Sequence, residues 1–418
     1  MSPVSRRWRL VATSALAVLA SAWIAGRALQ MRGAGTARAR MPAPAMQQAN
    51  GEIAMARDSA LRDADIAFYE RRVAADSESA ADIAALGAMY LARGRATGSL
   101  GDVERAERLA KASLVRRTAR NAASYQLLAS ALLARHAFPE ARVAAERAVA
   151  LSPGEMGPLA QLAEVELELG DYDQASRHFR SIHVGREQFT VAARVARWHE
   201  IMGRVDSARA LLTRAAQDAE HREDLPRDQV AWFHARLGDL ELRSGRVVAA
   251  DKALRHALLL APSDPHVLGA MANVALQRGA LAEAMDFGER ATSTLLDPTT
   301  LGTMSEAYQR MGDTARAAQA AQAMRTAALT QPGAIHRAWG HFLLDHGTPR
   351  DAREVLARVR AELGTRRDVY GFDLEAWALH RLGRDDEARQ AMRRALSQGT
   401  RDVLLTRHAE AIRVPPVW

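Results

Sequence analysis

The sequence predicts an all-α protein: a right-handed superhelical α-solenoid of about nine helix pairs, with capping helices at both ends. Two observations favour this fold. An alanine recurs nine times at intervals of 33 to 42 residues, and a small residue stands twelve positions before eight of these alanines. Helix-forming residues dominate, whereas aromatic residues make up only 5% of the chain. A period of about 34 residues is typical of helix-turn-helix units stacked into a solenoid.

The repeated positions locate the two helices of each unit. The alanines are Ala106, Ala141, Ala175, Ala208, Ala250, Ala284, Ala317, Ala352 and Ala388. The small residues before them are Gly87, Ala129, Ala163, Ala196, Gly238, Ala272, Ser305, Gly340 and Ala376. Small side chains at both positions allow two helices to cross closely, because no bulky group holds their backbones apart. Each unit is therefore predicted to be one antiparallel helix pair.

A turn residue stands five positions before each repeated alanine, and glycine occupies it in eight of the nine units. Glycine adopts the left-handed conformation that ends a helix without a steric penalty. The turn residues are Gly101, His136, Gly170, Gly203, Gly245, Gly279, Gly312, Gly347 and Gly383. Two irregularities are predicted: residues 93–100 lengthen the turn of the first unit, and residues 217–228 add a charged segment between the fourth and fifth units.

These offsets resemble the tetratricopeptide repeat. The best copy begins at His234-Ala-Arg-Leu-Gly-Asp-Leu-Glu-Leu-Arg-Ser-Gly245 and continues through Ala250, Leu254, Ala257 and Pro262. The resemblance covers roughly residues 80–400. The runs 65–70 and 368–383 also look like those of uncharacterised bacterial exported or membrane-tethered tetratricopeptide repeat proteins. The resemblance implies an extended surface that holds another polypeptide, without a central pocket built by distant parts of the chain.

The predicted organisation has five segments. Residues 1–26 are a signal peptide or membrane anchor, and residues 27–49 are a flexible linker. Residues 50–79 form an N-terminal capping helix or half repeat, residues 80–400 form the solenoid, and residues 401–418 form a C-terminal cap and tail. Terminal units of a solenoid are expected to be atypical, because one of their faces meets water.

The amino terminus predicts export. Arg6, Arg7 and Arg9 precede an apolar segment at residues 10–26, and Ala20-Ser-Ala22 offers a small-x-small cleavage site. Cleavage and retention as an anchor both fit this pattern, since the segment is close to the shortest that could span a bilayer. We expect the repeats to be periplasmic or otherwise extracytoplasmic, tethered to the inner membrane by residues 10–26 where the segment is kept.

The charge distribution argues against nucleic-acid binding. The chain carries a formal net charge of +8, but residues 1–51 contain seven arginines and no acidic residue. The remainder of the chain therefore carries only +1. A surface that binds phosphates needs a local excess of positive charge, so we expect no nucleic-acid partner.

No catalytic or cofactor motif is found, and the chain is predicted not to be an enzyme. His336, His341 and His346 are close in sequence, but steps of five residues rotate successive side chains by about 140° on a helix, so they cannot share one face. No phosphate-binding loop, dinucleotide glycine pattern or nucleophile elbow occurs. We therefore expect no cofactor and no metal site along this helix.

The resemblance places the first helix of each unit on the concave face. The candidate partner-binding residues at inward-facing positions are Arg197, Trp232, Asp239, Arg243, Asn273, Glu306, Arg310, Arg337, His341, Trp377 and His380. Arginine and tryptophan side chains are suited to hold the carboxylates and apolar groups of a peptide. The alternative for the tryptophans is packing between units. The predicted function is a non-catalytic scaffold for a peptide or protein partner in an envelope-associated complex; an accessory subunit of a separately encoded enzyme is the alternative.

Overall fold

The computed structural model describes residues 43–185, 188–330 and 336–416. The predicted signal peptide or anchor lies outside these residues, as does the predicted linker up to residue 42. Among the described helices, none is both long enough and apolar enough to cross a membrane. Contacts divide the chain into a unit of residues 1–47 and a second unit of residues 48–418. The architecture below is that of the second unit.

The predicted helix pairs are confirmed: the described part of the chain is helical, without strands. Helix α1 (Ala43–Ala75) begins inside the segment 27–49 that was predicted to be a linker, which corrects that boundary. The nine pairs that follow are α2 (Ala80–Thr97) and α3 (Leu100–Arg116), α4 (Ala122–Ala134) and α5 (Phe138–Leu151), α6 (Met156–Leu169) and α7 (Tyr172–Arg180), α8 (Phe189–Ile201) and α9 (Val205–Glu220), α10 (Arg227–Arg243) and α11 (Val247–Leu260), α12 (Pro265–Gln277) and α13 (Leu281–Thr292), α14 (Pro298–Arg310) and α15 (Thr314–Leu329), α16 (Arg337–His346) and α17 (Pro349–Glu362), and α18 (Val369–Arg381) and α19 (Asp385–Ala395). Helix α20 (Val403–Ile412) covers the last pair.

The small residues pack where the helices of a pair cross. Each of the nine repeated alanines is at most 3% exposed. A Cβ atom added to Gly238 would lie 2.5 Å from Cγ of Leu254 on the partner helix, and one added to Gly87 would lie 3.2 Å from Cβ of Leu109 on its partner helix. The requirement for small side chains is therefore steric: the helices approach too closely for a larger residue.

The turn residues behave as predicted in seven units and differently in two. Six of the glycines adopt positive φ angles, and His136 takes the same left-handed conformation with φ 57°. Gly101 lies inside α3 instead, and the left-handed residue of the first unit is Gly98, because α2 continues to Thr97. The extra residues of the first unit thus lengthen its first helix and not its turn. At Gly347 the backbone is extended, and a capping box formed by Thr348 and Asp351 starts α17.

The first helices of successive units contact one another throughout the stack. These contacts join α2 to α4, α4 to α6, α6 to α8, α8 to α10, α10 to α12, α12 to α14, α14 to α16, α16 to α18 and α18 to α20. Helices on the inner side of a curved stack are the ones that approach most closely. We call the surface of these first helices the inner face.

Parts of the chain that are six units apart also meet, which corrects the expectation that distant segments would build no common site. The Tyr172 hydroxyl accepts a 2.7 Å hydrogen bond from the amide of Val369. The Thr400 hydroxyl donates to the carbonyl of Ile201 at 2.5 Å, and the guanidinium of Arg366 donates to the Glu168 carboxylate at 2.8 Å. The separations are 197 to 199 residues. The physical reason is the accumulated rotation between units, which returns the chain to its own third and fourth units.

Candidate binding surface

All eleven candidate residues lie on first helices, from α8 to α18. The structure brings only some of them together. Two groups emerge, one on α8 and α10 and the other on α16 and α18. Both groups include residues that were not among the candidates.

The first group is an arginine cluster made of Arg197, Arg236 and Arg243 around the buried carboxylate of Glu200. Nη1 of Arg197 lies 2.9 Å from Oε2 of Glu200, and Nε of Arg243 donates to Oε1 at 2.5 Å. Arg236 donates to the candidate Asp239 at 3.2 Å. Tyr370, from α18, lies across this cluster, with its ring centroid 5.4 Å from the Arg197 guanidinium carbon. The cluster therefore joins the fourth, fifth and ninth units.

The charge of Glu200 is maintained by its neighbours. Burial alone would raise the pKa of this carboxyl, but Arg197, Arg243 and Arg236 together outweigh burial and hold the pKa far below its ordinary value. Glu200 is 5% exposed and shared between two arginines. Nη2 of Arg243 is buried and has no hydrogen-bond partner within the described part of the chain. The Arg243 side chain as a whole is 30% exposed, so part of it lies at the surface.

Arg337 belongs to an ion-pair network that connects units. Its Nη2 donates to Glu362 at 2.7 Å and to Asp368 at 2.9 Å. Arg366 also pairs with Asp368, at 3.0 Å, and reaches Glu168 of the third unit. The carboxylates of Glu362 and Asp368 are largely buried. Arg337 therefore takes part in the ion-pair network that joins distant units, and it also lies on the inner face.

The second group is a histidine–tryptophan cluster formed by His341, Asp373, Trp377 and His408. Nδ1 of His408 lies 2.9 and 3.1 Å from the two carboxylate oxygens of Asp373, and Nε2 of His341 lies 3.7 Å from Oδ2. The Trp377 ring stacks on His408 with centroids 4.3 Å apart. Its Nε1 donates to Asp345 at 2.9 Å. Trp377 thus packs between units, which was the alternative for the tryptophans.

Four of the remaining candidates lie apart from these two groups, and the fifth adjoins the second group. Trp232 is 47% exposed, and its ring meets Phe233 edge to face at 5.0 Å. Glu306 and Arg310 form an ion pair with each other. The side-chain oxygen of Asn273 accepts from Gln277 at 3.2 Å. The last candidate, His380, stacks on Trp377 with ring centroids 5.2 Å apart and lies 3.2 Å from Asp385.

Sequence reasoning missed Glu200, Asp373, Tyr370 and His408. The repeat register contains part of the missing signal, because His341, Asp373 and His408 are spaced by 32 and 35 residues, close to one unit. In-register residues on successive first helices are neighbours, so this spacing predicts their convergence. No comparable pattern places Tyr370 beside Arg197, since they meet only through closure of the stack after several units.

A further group of possible metal-binding residues lies away from these two clusters. Nε2 of His234 and Nε2 of His256 lie 2.7 and 2.8 Å from the same oxygen of Glu220. These residues belong to α9, α10 and α11 of the fourth and fifth units, and Glu220 and His256 are exposed. An exposed carboxylate between two histidines also forms ordinary hydrogen bonds without an ion. These distances therefore fit a hydrogen-bonded group as well as a metal site.

No family model and no curated protein sequence matches the chain. Solved structures do match. A monomeric mutant of IFIT1 with m7Gppp-AAAA is 13% identical, covers 76% of this chain and 71% of its own, and superposes with a TM-score of 0.51. A tetratricopeptide repeat protein from Parabacteroides merdae is 15% identical, covers 57% of this chain and 92% of its own, with a TM-score of 0.40. PilW, a type IV pilus biogenesis factor, is 15% identical over 53% of this chain and 98% of its own, with a TM-score of 0.42.

At these identities, similarity establishes fold alone. The likeness to IFIT1 extends over three quarters of the chain. The nine helix pairs carry the predicted small residues, and seven of them have the predicted turn conformation. The chain therefore has the all-α solenoid fold of the tetratricopeptide repeat proteins.

Proposed function

We propose that this protein is a non-catalytic scaffold that binds a peptide or protein partner on its inner face. The observation that carries the proposal is a stripe along α10. Trp232, Arg236, Asp239 and Arg243 follow one another at steps of four, three and four residues, which places them on one side of the helix. A half-exposed tryptophan and an arginine whose side chain is 30% exposed thus lie on the same side of α10.

The chemistry of this stripe favours an acidic ligand with an apolar side chain. A partly exposed guanidinium gains most from an ionised acceptor such as a carboxylate. A half-exposed indole buries a large apolar area when a partner covers it, and tryptophan and arginine are the residues that contribute most to protein interfaces. The partner would therefore place a carboxylate near Arg243 and an aromatic or aliphatic group against Trp232.

The proposed setting is an envelope-associated complex, with the repeats outside the cytoplasm. Support for this setting comes from the amino-terminal sequence, where three arginines precede the apolar residues 10–26 and a small-x-small site. Fractionation of cells that produce the full-length chain tests the setting: recovery in the periplasmic or inner-membrane fraction is expected, and recovery in the cytoplasmic fraction alone would contradict it.

Crosslinked copurification from native cells tests the binding face. The test variant combines Trp232→Ala with Arg243→Gln, and the control is Val248→Ala on α11, which is 85% exposed on the second helix of the same unit. Circular dichroism first establishes that both variants are folded. Loss of the partner from the test variant alone is expected, whereas retention by both variants would reject this face as the binding surface.

A further inference from the structure

The histidine–tryptophan cluster contains three potential metal ligands from three different helices. His341 lies on α16, Asp373 on α18 and His408 on α20, so they belong to the eighth unit, the ninth unit and the C-terminal cap. One ligand atom from each residue lies within 4.8 Å of the other two. We propose that His341, Asp373 and His408 form a binding site for a divalent transition-metal ion, with Zn²⁺ as the best fit.

The distances within the cluster suit a shared ion. Two atoms bound to Zn²⁺ at about 2.1 Å in a tetrahedral arrangement lie roughly 3.4 Å apart. The observed separations from Asp373 are 2.9 and 3.1 Å to Nδ1 of His408 and 3.7 Å to Nε2 of His341. These values bracket the tetrahedral separation. An ion could therefore be held with small side-chain rotations and without movement of the helices.

Burial adds a second argument. Asp373 is 0% exposed and His408 is 1% exposed. A buried carboxylate is costly unless it is paired with a cation or coordinates a metal ion.

The local charges favour a cation. The carboxylates around the site are those of Asp373, Asp345 and Asp402, and the arginines that act on these groups are Arg337, near His341, and Arg243, near Asp402. Arg337 is already paired with Glu362 and Asp368, and Arg243 with Glu200. A divalent ion would supply a counter-charge to the buried Asp373 carboxylate.

The donor set indicates the class of ion. Two imidazoles and one carboxylate suit Zn²⁺ and its first-row neighbours, while Mg²⁺ and Ca²⁺ prefer oxygen ligands throughout. Three protein ligands leave a fourth position for water. The His341 side chain is 15% exposed on the inner face, which gives the ion a route into the site. An ion bound there would also link α20 to the last two units through its shared ligands.

The test is metal binding by the full-length, tag-free chain after treatment with EDTA. Isothermal titration with ZnCl₂ is expected to show one site, and Co²⁺ is expected to give the visible absorption bands of a low-coordinate site. His341→Ala should weaken Zn²⁺ binding at least tenfold. His341 is the partly exposed member of the site, so its replacement is the variant least expected to affect folding, and Asp373→Asn provides a second test at nearly unchanged volume.

Two controls make the outcome decisive. His380→Ala alters a neighbouring histidine of the inner face, and His256→Ala alters the group around Glu220; neither should change Zn²⁺ binding at the proposed site. Absence of binding by the parent chain, or equal affinity in the parent and the folded His341→Ala variant, would overturn the assignment. Loss of binding in His256→Ala with retention in His341→Ala would place the ion at Glu220 and also reject the site proposed here.

Discussion

Tyr172 and Val369 lie 197 residues apart, yet the hydroxyl of one accepts a 2.7 Å hydrogen bond from the backbone amide of the other. This bond joins the second helix of the third unit to the first helix of the ninth. Together with the Thr400–Ile201 and Arg366–Glu168 contacts, it turns an open stack into one whose distant units support each other. The stability of this solenoid therefore depends on contacts between distant units as well as on contacts between neighbouring units.

Thr400→Val tests the closure contact. Thr400 is 1% exposed and donates to the carbonyl of Ile201. Valine keeps the shape and removes the donor, so the free energy of unfolding should fall by about 1–2 kcal/mol. Hydrogen exchange should increase at the ends of α8 and α19 together, although they are far apart in sequence. Ser397→Ala, an exposed change in the same loop, is the control; equal protection in both variants would show that the contact contributes little.

Glu200→Gln tests the buried charge of the arginine cluster. The substitution leaves Arg197 and Arg243 without their shared carboxylate, and we expect a loss of about 3 kcal/mol at pH 7. The pKa of Glu200 is lowered in the folded state, so its contribution is complete above its ordinary value of 4.5 and is lost as the pH falls below that value. Denaturation from pH 7 to pH 3 should show a constant difference between the parent and the variant down to about pH 5, and a difference that narrows below pH 4.5.

His199 should produce a separate pH dependence. Burial, assisted by Arg204, lowers its pKa from 6.5 to about 4. The unfolded state therefore binds more protons than the folded state between these values, and stability falls as the pH decreases from 6.5 towards 4. His199→Gln should reduce this slope. The same substitution at the exposed His183 is the control, and an unchanged slope in the His199 variant would contradict the prediction.

Gly238→Ala tests the close crossing of α10 and α11. The new Cβ atom would lie 2.5 Å from Cγ of Leu254, so the helices must separate and stability should fall by about 1–3 kcal/mol. Gly101→Ala is the matched control, because its nearest neighbour is Oγ of Ser99 at 3.9 Å and the residue lies in α3. Thermal unfolding should show no loss, or a small gain, for that control. Equal destabilisation of both variants would argue against a steric cause.

The sequence predicts the units of this fold better than their arrangement. The spacing of Ala250 and Gly238 specifies a helix pair because a close crossing requires small residues at fixed offsets. Closure between Glu168 and Arg366 depends on the sum of small rotations between successive units, and no local pattern specifies that sum. His136 differs: its left-handed backbone follows from the repeat register, although residues other than glycine adopt that conformation only rarely.

For the candidate surface, the sequence likewise predicts which helices carry the residues better than it predicts the contacts of those residues. The repeat register assigns Arg243 and His341 to first helices, where the structure places them. The spacing of His341 and Asp373, close to one unit, also places them on neighbouring first helices, but the register does not reveal that Arg243 pairs with Glu200. Spacing along a single helix correctly separates His341 from His336 and His346, yet it says nothing about neighbours contributed by the next unit. The role of the eleven candidates in partner binding stays a prediction.

The most direct measurement of the central claim is site-specific photocrosslinking in native cells. A photoreactive residue in place of Trp232 on α10 should capture a defined partner, and the same residue in place of Val248 on α11 should not. Addition of a competing unlabelled parent chain should reduce the Trp232 crosslink. Capture from Val248 alone, or equal capture from both positions, would contradict the inner face as the surface on which this solenoid holds its partner.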